Sequence, residues 1–162
     1  NYNEAKHLLN KLLDENKNDF YIYQLLGIIS LNTGNLEESI YNFNLSLNIM
    51  PKNSGVLYNL GVINQRLNNL EKAKEYFFKS LAINSSFIDV HINIAQICER
   101  EKKIFDADNH YQKAFSIKKD HPYLNRAYAR FLINTGEIKK GLSLMYKNIG
   151  CIRFGKSNVE IN

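Results

Sequence analysis

Four histidines, two cysteines, one Gly-Lys-Ser triplet and a set of arginines and asparagines are the residues of this chain whose types and spacing could support chemistry. The histidines, His7, His91, His110 and His121, are scattered. None stands at motif spacing from a serine or cysteine, so no nucleophile–base pair is indicated. Cys98 and Cys151 lack CxxC spacing and have no His/Cys cluster around them, which argues against a zinc site. Residues 150–157, GCIRFGKS, formally fit the phosphate-loop pattern G-x-x-x-x-G-K-S. That loop must follow a buried strand and open a helix, whereas residues 142–149 read as helix. The carboxylates Glu37, Glu38, Glu71, Glu75, Asp106 and Asp108 fall at the starts of expected helices, where they complement the helix dipole. The chain therefore reads as non-enzymatic, with no cofactor and no metal. Recognition chemistry remains. Arg66, Arg100, Arg126 and Arg130 can fork onto carboxylates, and Asn59 and Asn93 each offer a donor and an acceptor that can pair with a peptide unit.

The elements that must position these groups repeat along the chain. Gly27, Gly61, Ala95 and Ala129 are separated by equal steps, as are Ser39, Ala73, Ala107 and Gly141, and Phe43, Phe77, Tyr111 and Met145. Each step is about 34 residues, within the range of repeats that bury their apolar faces by stacking on neighbours. Apolar spacing predicts a helix over 2–15 and helix pairs over 20–32 with 36–49, 54–67 with 70–83, 88–101 with 104–117, and 122–135 with 138–149. Gly34 and Gly136 end the first helix of their pairs, with Asn68 and Lys102 at the equivalent places; glycine and asparagine accept a positive φ there more readily than lysine. Asp19 can cap the helix beginning at Phe20, and Pro122 suits the first turn of another. The small residues at 27, 61, 95 and 129 mark helix crossings, and the aromatics with Met145 are expected to fill the seams. His91 falls on a packing position, which makes it a core residue rather than a ligand.

This pattern resembles the tetratricopeptide repeat family, whose signature runs large residue, Leu-Gly, aromatic, Ala, aromatic, Pro. The first full unit has Tyr23, Leu26-Gly27, Ser30, Ser39, Phe43 and Pro51; the second has Leu57, Leu60-Gly61, Asn64, Ala73 and Phe77. Third and fourth units follow with Ile94-Ala95, Ala107 and Tyr111, and Tyr128-Ala129, Gly141 and Met145. The resemblance implies an all-α superhelix, a right-handed solenoid of antiparallel helix pairs over residues 1–150. Its divisions are a half unit at 1–19 and full units at 20–53, 54–87, 88–121 and 122–150, with 151–162 a tail or linker. The rich apolar stripe of residues 2–15 suggests a segment taken from a longer array.

The resemblance also implies a concave wall built from each unit's first helix. Its lining positions are Tyr21, Gln24, Ile28 and Asn32; Tyr58, Asn59, Val62 and Arg66; Ile92, Asn93, Gln96 and Arg100; and Tyr123, Arg126, Arg130 and Asn134. Such a groove would grip an extended acidic peptide segment, or one with a free carboxylate. Asn59 and Asn93 would form a short ladder of the kind seen in the repeat arrays of O-linked N-acetylglucosamine transferase. The family's clamp for chaperone C-termini is not reproduced, because Gln24 and Ile28 stand where it needs Lys and Asn. An alternative reading makes the segment the repeat region of a larger enzyme, such as a glycosyltransferase, that recruits its substrate.

Composition narrows the partner further. The net charge of +5 is concentrated between residues 118 and 156, where nine Lys or Arg face two acidic residues. Base-reading repeat proteins need edge-reading and stacking side chains on every unit, which is not the pattern here, so a protein or peptide is expected and nucleic acid is not. No apolar run approaches the ~20 residues of a membrane span. Free cysteine usage fits a cytoplasmic location.

Overall fold

Four turns of identical construction set the architecture. At each, a residue with positive φ follows a helix: Gly34 at 84°, Asn68 at 61°, Lys102 at 59° and Gly136 at 93°. The next amide then reaches back to an earlier carbonyl, Asn35 to Ser30 and Asn69 to Asn64 at 2.8 Å, Lys103 to Cys98 at 2.9 Å, and Glu137 to Leu132 at 2.8 Å. This is the Schellman closure of a helix end. Lys102 adopts it although a Cβ in that region costs about 1–2 kcal/mol, so the tertiary fold imposes the turn where local preference does not.

The structure, a computed structural model, describes residues 1–147, 152–154 and 159–161. It divides into two units, Asn1–Ser85 and Ser86–Asn162. The first contains α1 (Tyr2–Glu15), α2 (Phe20–Asn32), α3 (Leu36–Ile49), α4 (Ser54–Arg66) and α5 (Leu70–Ile83). The second contains α6 (Ile88–Arg100), α7 (Ile104–Ile117), α8 (Pro122–Asn134) and α9 (Ile138–Lys147). It also holds a two-stranded antiparallel pair, β1 (Ile152–Phe154) and β2 (Val159–Ile161), with Ile152 opposite Ile161. The expected helices are present, three of them ending a residue earlier than apolar spacing indicated, and α9 is described as far as Lys147. Cys151 and most of the GCIRFGKS segment lie outside the described residues. No helix of the described residues is long and apolar enough to cross a membrane.

Caps fix the helix starts. Asp19 accepts from the Tyr21 amide at 2.8 Å, Asn53 from Val56 at 3.1 Å, and His121 Nδ1 from Leu124 at 3.2 Å. Asn35 accepts from the Glu38 amide and donates back to the Glu38 carboxylate at 3.1 Å, a reciprocal cap related to the capping box.

Within the α2–α3 and α4–α5 hairpins the two helices approach so closely that aromatic rings rest on glycine. A Cβ built at Gly27 would lie 2.6 Å from Cδ1 and Cε1 of Phe43, and one at Gly61 2.6 Å from Cδ1 of Phe77. Both rings are fully buried. Buried hydroxyls close the same hairpins: Ser39 donates to the Gly27 carbonyl at 2.7 Å, Ser46 to Phe20 at 2.9 Å, and Ser80 to Ser54 at 2.8 Å. Leu31, Phe43, Val56, Leu60 and Ile63 then join α2, α3 and α4 into one core.

Packing is looser in α1 and α9 than in the helices between them. Along α1 no residue is buried; Ala5, Leu9 and Leu13 are half-buried, but Leu8 and Leu12 are 59% and 50% exposed. A single helix packing on one side covers only half of a broad apolar stripe. Met145, expected in a seam, is 39% exposed, because its outer side has no facing helix among the described residues.

Candidate functional site

In the second unit α6 and α8 stand side by side and frame a cleft of about 310 Å³, lined by Gln96, Tyr123, Arg126, Ala127, Arg130, Ile133, Asn134 and Met145. Its floor is apolar, from Ala127, Ile133 and Met145, and its rim is polar. The Gln96 amide donates to the Tyr123 hydroxyl at 3.0 Å, which joins α6 to α8 at the cleft mouth. An adjoining polar recess of about 310 Å³ brings Arg100 and Glu99 beside Gln96, Tyr123 and Arg130. The helical period delivers these groups together: residues 96, 99 and 100 share one face of α6, and 123, 126, 130 and 134 share one face of α8.

Charge in the cleft is unevenly matched. Arg130 Nη2 stands 3.9 Å from Glu99 Oε1. The Glu99 carboxylate in turn accepts from the Tyr111 hydroxyl, so it is held from α7 while it faces α8. Burial, followed by this bond, pushes the Tyr111 phenol well above its usual range. Arg100 and Arg126 are exposed, and among the described residues no carboxylate forms an ion pair with either. Glu99 occupies a lining position that sequence reasoning passed over; its place one residue before Arg100 on the same face was the available signal.

Ile92, expected to line the wall, is fully buried. It sits between Val90 and Ile94 in a helix whose apolar arc is broader than the assumed groove positions allow. Asn93 is half-buried, and its Nδ2 donates to the Asp89 carbonyl at 2.9 Å, a bond to its own helix. Asn134 lies exposed at the end of α8.

The first unit carries the other expected residues. Tyr21 is 56% exposed and meets Phe20 edge-on. Tyr58 and Asn59 are half-buried on α4. Gln24 is engaged structurally: its Oε1 accepts from Asn53 Nδ2 at 2.9 Å, which ties α2 to the cap of α4. Arg66 reaches the Leu31 carbonyl at 3.5 Å, an acceptor at the end of α2 that also takes the Gly34 amide at 3.3 Å.

Two of the four histidines meet. His91 is buried, as its packing position implied, with its Nδ1 3.0 Å from Nδ1 of His110. Burial first, and His91 next, bring His110 down to about 4. Among the described residues no group of three or more His, Cys, Asp or Glu side chains could hold a metal ion.

Helix pairs with a glycine–aromatic seam and a left-handed turn define a helical-hairpin repeat protein. Residues 54–87 match the family model of the tetratricopeptide repeat, and the chain has the tetratricopeptide-repeat fold. Among solved structures it is similar to MamA, with 16% identity, a TM-score of 0.76, and coverage of 92% of this chain and 87% of that one. It is also similar to PilF of Pseudomonas aeruginosa, with 16% identity, a TM-score of 0.80, and coverage of 97% and 70%. A third likeness is to YrrB, described as a TPR protein with an unusual peptide-binding site, with 17% identity, a TM-score of 0.72, and coverage of 86% and 74%. At these identities the likeness is one of fold. No curated protein matches the chain by sequence.

Proposed function

We propose that this protein is a non-catalytic interaction scaffold whose α6–α8 cleft grips an extended acidic segment of a partner protein. The observation that carries the reading is the pair Arg100 and Arg126, exposed beside an apolar-floored cleft and without an ion pair among the described residues. A guanidinium offers a planar fork of donors that suits a carboxylate. Gln96, Tyr123 and Asn134 supply neutral donors and acceptors for the ligand backbone, and the floor accepts an aliphatic side chain. Arg130 contributes with its charge partly answered by Glu99. Solenoids of helix pairs commonly bind through such extended inner surfaces, and the peptide-binding site named for YrrB is consistent with this use. On the first unit Tyr21, Tyr58 and Asn59 are the residues we propose for further peptide contacts, with Gln24 and Arg66 in supporting roles.

The test is fluorescence anisotropy with a capped, labelled peptide of alternating Glu and aliphatic residues, against its Gln counterpart. Binding of the acidic peptide alone, reduced at least about tenfold in the double variant Arg100→Glu with Arg126→Glu, is the expected result. Equal affinity of the double variant and the unaltered chain, with helicity retained in both, would remove the proposal.

A further inference from the structure

A second pocket of the same unit has the opposite chemistry. Ile104, Phe105, Asp108 and Gln112 of α7, Tyr128 and Phe131 of α8, and the turn into α9 enclose about 520 Å³. That volume falls within the range of small-ligand and side-chain sites. Phe105 is 83% exposed at its edge and Ile104 47% exposed, although nothing in the helix pairing requires an aromatic residue in water there. Phe131 is buried beneath and stacks on Tyr128 with ring centroids 6.2 Å apart and planes at 24°.

One carboxylate stands over these rings. Asp108 Oδ1 accepts from the Tyr128 hydroxyl at 2.8 Å and Oδ2 from Gln112 at 2.6 Å. Both donors are neutral, and among the described residues no Lys or Arg forms an ion pair with Asp108. The pocket's other acid, Glu137, is answered by Lys140 at 3.0 Å. The lining therefore carries an excess of one negative charge, centred on Asp108.

We propose that this pocket receives an arginine side chain from a basic segment of a partner protein. Each Asp108 oxygen keeps a lone pair after its present bond, so the carboxylate can take both arms of a guanidinium fork. The planar head can stack on an aromatic face, and the arginine stem can cover the exposed surface of Phe105 and Ile104. Two neutral donors fix the carboxylate in place before the ligand arrives, which lowers the ordering cost of binding. This site is separate from the arginine-rimmed cleft and does not depend on that cleft's role.

The experiment uses the full chain, labelled with nitrogen-15, titrated with a capped peptide holding one arginine among glycines and with its citrulline counterpart. Amide shifts confined to residues 104–112 and 128–140, seen with arginine and not with citrulline, are expected. Asp108→Asn keeps an acceptor for Tyr128 and should weaken binding about tenfold or more. Phe105→Ala alters an exposed side chain, leaves the fold intact and should weaken binding about two- to fivefold. Lys72→Glu, on the first unit, should leave it unchanged. Absence of shifts in these segments, equal binding of the citrulline peptide, or undiminished binding by both Asp108→Asn and Phe105→Ala would overturn the proposal.

Discussion

Replacing Gly27 by alanine should destabilise the protein, while the same change at Gly55 should stabilise it. Both glycines are helical, and propensity alone favours alanine at each by about 0.5–1 kcal/mol. Space separates them. At Gly55 a Cβ would meet only Asn53 Oδ1 at 3.5 Å and Gln24 Nε2 at 4.0 Å, ordinary contacts. At Gly27 it would stand 2.6 Å from two carbons of Phe43, about 1 Å inside the favourable separation. The Phe43 ring is fully buried, so either the ring leaves its rotamer or α2 and α3 separate. Overpacking of this kind costs about 1–3 kcal/mol and sometimes more, enough to exceed the propensity gain. A net loss of about 2 kcal/mol lowers Tm by about 4–8 °C at this chain length; Gly55→Ala should raise it by about 1–3 °C. Thermal and urea unfolding followed by circular dichroism measure both. Adding Phe43→Leu to Gly27→Ala should return part of the loss, because the smaller side chain vacates the contested space. If Gly27→Ala is as stabilising as Gly55→Ala, or Phe43→Leu adds its full cost in the double variant, the glycine–aromatic seam does not hold the hairpin together as described.

Other outcomes are as definite. Ser80→Ala removes the donor to the Ser54 carbonyl inside a hairpin and should cost about 1–2 kcal/mol in urea unfolding; no loss would mean that water replaces the hydroxyl. Lys102→Gly relieves a left-handed lysine and should stabilise by about 1 kcal/mol, whereas Asn68→Ala should destabilise. His110 titrates near 6.5 when unfolded but is brought down to about 4 in the fold, so the unfolded state binds the proton first and stability falls as pH drops from about 6.5 to 4. After screening by partial exposure, the shift should be worth about 2 kcal/mol. His110→Gln should flatten that part of the pH profile, and an unchanged slope would show that other groups carry it. Glu99→Gln frees Arg130 from its counter-charge and should tighten binding of the acidic peptide about threefold; weaker binding would assign Glu99 to ligand contact.

The helix pairs were legible because their determinants are local and recur. A glycine beneath an aromatic, a turn at a fixed interval and an apolar arc each leave a mark in the sequence, and Gly61 with Phe77 shows all of it within one repeat. Even Lys102 follows its turn, since four equivalent closures outweigh one unfavourable residue. The cleft was harder to read. Helical spacing told which face Gln96, Arg100, Arg126 and Arg130 share, but not that Glu99 is braced by Tyr111 against Arg130, a relation among three helices. Nor does spacing reveal that Gln24 is engaged by Asn53 or that Ile92 is buried, because both depend on how far one helix slides along its neighbour. The Asp108 pocket left no motif, since its parts come from two different repeats.

Tyr111 and Tyr128 work as paired clips, each holding its phenol hydroxyl against a carboxylate on the preceding helix, Glu99 on α6 and Asp108 on α7. Burial and these bonds raise both phenols well above their ordinary range, so the fold needs them protonated. An unfolded chain would ionise the same groups near pH 10. Alkali therefore reaches α6, α7 and α8 through their own fasteners: stability holds below that pH and drains away above it. Ultraviolet absorbance of tyrosinate should record the two clips ionising only as the helices come apart.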